Sequence, residues 1–327
     1  MIQQEGKMNN EIILVKLIRY FSVIAFLLTV LLYQPSVAYS QTSVANKLTP
    51  ITLFLLDQDQ TFEENLCPEV SSETTFQGDI IIRNQDDLDN LVGITRIDGE
   101  LRIFNPVFNT LFNVAIDELD FSPLDSLIEV TGDVSFQDTG LTSISGFNCL
   151  TTIGEQLLIG PFGGDNDDLV SVSGFDSLVT VRGIDVLNND SLESLPEFLS
   201  LESSDLSINI VSNPNLVRLS GFPLLNNIRG NLVVEFNRSL ESISGFSSLE
   251  NIAVNLLIRA NLLDGFTEIS GFPLLASVDS VINIGSVEVS NEGFSSLSSI
   301  GERAIVNNII IDCNTIPTNL LCDFVEQ

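Results

Sequence analysis

The 327-residue chain carries 13 Lys and Arg against 44 Asp and Glu, a formal net charge of −31, although 44% of it is hydrophobic. An acidic surface of this strength repels nucleic acid phosphates and anionic lipid, which argues against a nucleic acid partner, and the hydrophobic content is too high for a disordered chain. Histidine is absent, so Ser-His-Asp and Cys-His catalysis and histidine metal sites have no basis in this chain.

In chain order, Lys7, Lys16 and Arg19 precede an uncharged apolar run from Tyr20 to Tyr33, and Ala38-Tyr39-Ser40 supplies small residues where a signal peptidase reads. Residues 1–40 are therefore expected to be a secretory signal peptide, cut after Ser40, and the protein to be secreted or held at the cell surface. The alternative, an uncleaved anchor, is disfavoured because the run is shorter than the roughly 18 residues of a spanning helix. No second such run follows, so the mature chain is expected to have no membrane span. All Met (Met1, Met8) and all Tyr (Tyr20, Tyr33, Tyr39) lie in this segment, so the mature chain would lack His, Trp, Tyr and Met. Residues 41–77 read as an N-terminal extension and cap.

From residue 78 to 312 the chain repeats itself, as LVRLSGFPLLNNIRGNLVV (216–234) and LESISGFSSLENIAVNLLI (240–258) illustrate. The apolar positions hold while the polar ones drift, which marks a packing unit. Phe147, Phe175, Phe198, Phe222, Phe246, Phe272 and Phe294 recur every 22 to 28 residues, the period of a solenoid whose coils bury their apolar side against neighbours. Each of these Phe apart from Phe198 follows a Gly that marks a sharp bend, and these are read as structural core. The fold class expected is mainly β: a single right-handed, leucine-rich parallel β-solenoid of nine or ten coils with short strands, Asn-rich turns and capped ends.

Within each coil a triplet with apolar outer residues reads as a short strand: LRI (101–103), VSF (134–136), LLI (157–159), IDV (184–186), LSI (206–208), LVV (232–234) and LLI (256–258). The turn that follows is expected to use Asn84, Asp138, Asn189, Asn213, Asn237 and Asn261, whose side chains bond neighbouring backbone. The middle residues form an outward row: Arg102, Ser135, Leu158, Asp185, Ser207, Val233 and Leu257, with Ile310 on the last strand. Leu158, Val233, Leu257 and Ile310 are apolar where a solvent-facing row is ordinarily polar, so they are expected to form a flat binding patch, with Arg102 as a polar anchor. The competing reading is that a loop, an edge or a second chain covers them.

The stretch GDIIIRNQDDLDNLVGITRIDGELRI (78–103), followed by repeats of L-x-x-I-x-G-F-x-x-L-x-x-I-x-G-x-L-x-I, resembles the receptor L-domain-like family. That family comprises leucine-rich β-solenoids of insulin and epidermal growth factor receptor ectodomains, fungal cell-wall proteins and secreted bacterial proteins. The resemblance implies a ligand-binding or surface-building protein with no shared catalytic site. Val92-Gly93-Ile94 stands where some members carry a cap Cys.

Four Cys in an exported chain allow three pairings. Cys313 and Cys322 bracket NTIPTNLL and are expected to close a C-terminal cap at residues 313–327. Cys67 and Cys149 are expected to be separate buried thiols, with several coils between them. GGDNDDL (163–169) gathers Asp165, Asp167 and Asp168 where the period lengthens, a set that would take Ca2+, although a solvated insertion loop is the favoured reading. Asn189-Asp190-Ser191 and Asn237-Arg238-Ser239 match the glycosylation sequon, but both fall in the repeated turn, which uses such Asn itself. No cofactor is otherwise implied.

The expected function is an exported, non-catalytic recognition or adhesion module that binds a protein or cell-surface ligand through its flat sheet. The alternatives are a passive cell-envelope or matrix component and a carbohydrate-active β-solenoid enzyme. Carboxylates suit glycoside hydrolysis, but Phe alone remains to stack against sugars.

Overall fold

The computed structural model describes Cys67 and residues 73–104, 118–160, 166–261, 267–285, 287–289, 294–301, 303–306 and 309–312. Residues 1–66, Asp165, Cys313 and Cys322 lie outside these, as do the expected signal peptide and the 313–327 cap.

The coil repeat produces a β-solenoid with about eight turns and almost no helix. Each coil contributes a two- or three-residue strand to a narrow ten-stranded sheet and a three- to five-residue strand to a broad eleven-stranded sheet. The broad sheet contains ten parallel strands and one antiparallel strand, Ile309–Asp312, which pairs with Arg303–Val306 and ends the stack. The solenoid thus has about eight turns where the sequence repeat predicts nine or ten coils. Parallel pairing puts equivalent residues of successive coils side by side: Ile184, Ile208, Leu232, Leu256 and Ile282 form one inward row.

Inside, the Phe residues stack coil upon coil. Phe198, Phe222, Phe246, Phe272 and Phe294 have successive ring centroids 4.9, 5.0, 5.2 and 5.2 Å apart, and Phe147 stacks on Phe175 at 5.1 Å. The Phe175–Phe198 step widens to 6.2 Å and tilts to 36°. Glu197 replaces the usual Gly there. The bend before each Phe is tight: Gly221 has φ 109°, and a Cβ on Gly245 would lie 2.6 Å from the Ser220 Cα. Neither position admits a larger residue without a backbone shift.

From the strand Val134–Gln137 to the strand Leu256–Arg259, the turn after each broad-sheet strand is held by a buried amide ladder. Oδ1 of Asn213 accepts from the backbone N–H of Asn189, Oδ1 of Asn237 from Asn213, and Oδ1 of Asn261 from Asn237, at 3.0–3.2 Å. Each Nδ2 donates to a strand carbonyl of the preceding coil, Asn213 to Val186, Asn237 to Ile210 and Asn261 to Val234. The ladder starts at Thr139, whose N–H and hydroxyl donate to Asn166 Oδ1. Two expected members are corrected. Asp138 is not in it but one residue earlier, at the left-handed position (φ 48°) shared by Asn188, Ser212, Phe236 and Ala260. Asn84 instead caps a short helix, Gln85–Asp89, by accepting from Asp87 N–H. Asn166 was hidden from the spacing by residues 161–165, inserted between it and its strand.

A disulfide joins Cys67 and Cys149, with Cα atoms 5.4 Å apart, which corrects the expectation of two free thiols. The coil count between them was right in kind: Thr75 pairs with Arg96, Arg96 with Glu129, and Glu129 with Thr152. Cys67, however, precedes the first strand and is not held to one coil per period. Three coils advance about 14 Å, and the seven residues from 67 to 74 can span up to about 24 Å.

Candidate functional site

The broad sheet presents one residue per coil in a central outward row. Its order is Ile81, Arg102, Ser135, Leu158, Asp185, Asn209, Val233, Leu257, Asn283 and Ile305. Ser207 is not a member. The strand there runs Ile208–Val211, two residues later than the triplet 206–208, so Asn209 takes the place expected for Ser207. The sequence LSINIV alternates correctly in either register. The ladder distinguishes them, because Val186, Ile210, Val234 and Ile258 each precede a ladder Asn by three residues.

Leu158, Val233 and Leu257 are half-buried in this row, and Ile310 pairs in register with Ile305. Leu187 and Val211, paired side by side and half-buried, widen the apolar surface beside the row. Sequence reasoning missed Leu187 because its triplet stopped one residue short, and Val211 because the triplet there was also set two residues early. Phe236, 49% exposed at its left-handed turn position, adds an aromatic ring at the strand end.

Charges on the face occur mostly as local pairs. Arg102 donates to Glu100 at 2.9 Å, and Arg259 to Glu235 at 2.5–2.6 Å from the next coil. Because Glu100 lies two residues from Arg102, the expected anchor is already occupied; its buried Nε has no hydrogen-bond partner. Asp185 differs. It is 9% exposed, and one carboxylate oxygen accepts from Asn209 Nδ2 at 2.6 Å. Burial pushes its carboxyl above the ordinary range, opposed by the Asn209 bond.

The narrow sheet turns a different surface outward. Thr152, Thr180, Ser203, Asn227, Asn251, Ser277 and Ser299 form a polar row, joined in part by Asn251 donating to Asn227 and Ser277 to Asn251. An open recess of about 310 Å³ near its first coils is lined by Glu73, Thr95, Arg96, Ile128 and Glu129, with Arg96 and Glu129 paired.

No protein-family model, curated protein or solved structure matches the chain.

Of the calcium candidates, Asp167 and Asp168 lie in the turn after Asn166, and Asp165 lies outside the described residues. Among the described residues no group of three or more His, Cys, Asp or Glu converges as a metal would require. The sequon residues Asn189 and Asn237 are fully buried ladder members, so their amides are closed to a glycosyltransferase in the folded chain. Among the described residues no helix is long and apolar enough to cross a membrane.

Proposed function

We propose that the solenoid is an exported, non-catalytic recognition or adhesion module that binds a protein or cell-surface ligand through the outward face of its broad sheet. The observation that carries this reading is the placement of Leu158, Leu187, Val211, Val233 and Leu257 on one side of contiguous strands, where outward positions are ordinarily polar. The apolar N-terminal run and the resemblance to receptor L-domain-like proteins support export and a surface role.

The test is capture of partners from host-surface and neighbouring-cell extracts by the full chain, beside a Leu158→Asp/Val233→Asp/Leu257→Asp variant whose circular dichroism is unchanged. Capture by the parent and not by the variant supports recognition through this face. Equal capture by both removes the face from the function. Failure of both across salt and calcium concentrations favours the second reading, a passive envelope or matrix component. A turnover screen on acidic and neutral polysaccharides addresses the enzymatic alternative directly.

A further inference from the structure

Among the described residues of the broad face, Asp185 is a charge that its own neighbourhood does not neutralise. Arg102 answers Glu100 and Arg259 answers Glu235, but the described ion pairs leave Asp185 without a cation. Its row neighbours are Leu158 and Asn209, and Leu187 stands two residues along its own strand. Asn209 satisfies one oxygen. The second oxygen is not among the buried atoms without partners, so it opens to the face. A carboxylate held by an amide, framed by leucines and stripped of most of its water is a strong acceptor for a charged donor that arrives with its own apolar cover.

Resting on the flat-face reading above, we propose that Asp185 anchors a Lys or Arg side chain of a partner protein, on a segment whose apolar side chains cover Leu158, Leu187, Val211 and Val233. From Leu158 to Leu257 the row crosses four strand spacings, about 19 Å. An extended segment of about six residues, at roughly 3.4 Å each, spans that length. Charge selects the class of occupant. A second copy would bring another net charge of −31 and a second Asp185 toward the first, and anionic lipid is repelled for the same reason, whereas a basic segment is attracted at long range and paired at short range.

The probe, the Leu-Lys peptide, is a labelled octapeptide Leu-Ser-Lys-Ser-Leu-Ser-Leu-Ser, which when extended puts its Leu and Lys side chains on one face, titrated into the full chain at 0.15 M NaCl and read by fluorescence anisotropy. The controls are a Leu-Glu peptide, with Glu for the Lys, and a Ser-Lys peptide, with Ser for every Leu. Asp185→Asn and Asp190→Asn each remove one negative charge, the second from an exposed turn position. The expected result is saturable binding of the Leu-Lys peptide alone, weakened roughly ten-fold or more by Asp185→Asn and less than about two-fold by Asp190→Asn, a long-range effect screened by salt.

Equal losses in both variants would reduce the binding to general attraction by an acidic chain and overturn the anchor. Loss on Leu158→Ser/Val233→Ser but not on Asp185→Asn would leave the face standing and remove the anchor. Absence of Leu-Lys binding above the Ser-Lys control overturns the anchor as well. Sedimentation of the full chain supplies the remaining outcome: a dimer dispersed by Leu158→Ser would make a second copy the occupant and refute the basic partner.

Discussion

At the scale of the residue, Asp185 sets stability against surface chemistry. Because burial raises its carboxyl pKa, the folded chain binds this proton more readily than the unfolded chain does. The ionised form therefore costs stability at neutral pH, and that cost disappears as pH falls through the folded pKa to below the unfolded value. Asp125 and Asp176 act with the same sign, each through burial first and then a neighbouring carboxylate, Asp120 and Glu197 respectively. Asp185→Asn isolates one contribution, since Asn keeps an oxygen for Asn209 without the charge. Its urea midpoint should exceed that of the parent at pH 7, and the gap should narrow as pH falls and close by about pH 3, roughly a unit below the ordinary Asp value. A variant less stable than the parent at pH 7 would show that the ionised group stabilises the fold. A charge of this kind on an outward surface serves no packing purpose, which accords with the anchoring role proposed for Asp185.

At the scale of the element, the middle coils rest on two ladders of opposite chemistry, and the two are not equally legible. The Phe ladder could be read directly, because a buried ring repeating every coil leaves an apolar residue beside Gly in the sequence. The amide ladder is legible in part: the spacing shows Asn189, Asn213, Asn237 and Asn261, but Asn166 lies behind an insertion and Asp138 stands one residue before the true member, Thr139. Polar residues at a turn are common whatever they bond, so only the three-residue offset from the last inward strand residue identifies the members. The same offset would have corrected the two-residue slip that put Ser207 on the face instead of Asn209.

The ladders make a paired prediction. Phe222→Ala empties a fully buried site between Phe198 and Phe246 and should cost about 3–5 kcal/mol. Asn213→Ala takes the acceptor from Asn189 N–H and the donor from Val186 carbonyl, both buried. At roughly 1–3 kcal/mol for each group left unsatisfied, its cost should approach that of the Phe. Denaturant unfolding of the two variants checks this, and an Asn213→Ala loss below about 1 kcal/mol would mean that the turn finds other partners.

At the scale of the whole solenoid, neighbouring coils are the main source of cover for each coil's core, so local damage is expected to stay local. The Cys67–Cys149 disulfide departs from this nearest-neighbour pattern. It closes a sequence separation of 82 residues and fastens the chain before the first strand to a coil three strands further on. Sequence alone could not supply this contact, because the periodicity that fixes the coils says nothing about a segment preceding them.

In the chain-entropy account a closed loop of that size is worth about 4–5 kcal/mol, and the gain should concentrate in the coils the loop encloses. Reduction, or Cys149→Ala, should therefore speed amide hydrogen exchange in the strands from Thr75 to Ile153 while strands such as Leu232–Glu235 and Leu256–Arg259 keep their protection. A uniform loss of protection would show instead that the coils unfold as one unit. The binding face proposed above lies mostly beyond the enclosed coils, so a reduced chain that retains protection at Val233 and Leu257 should also keep most of the parent's affinity for a ligand read through them.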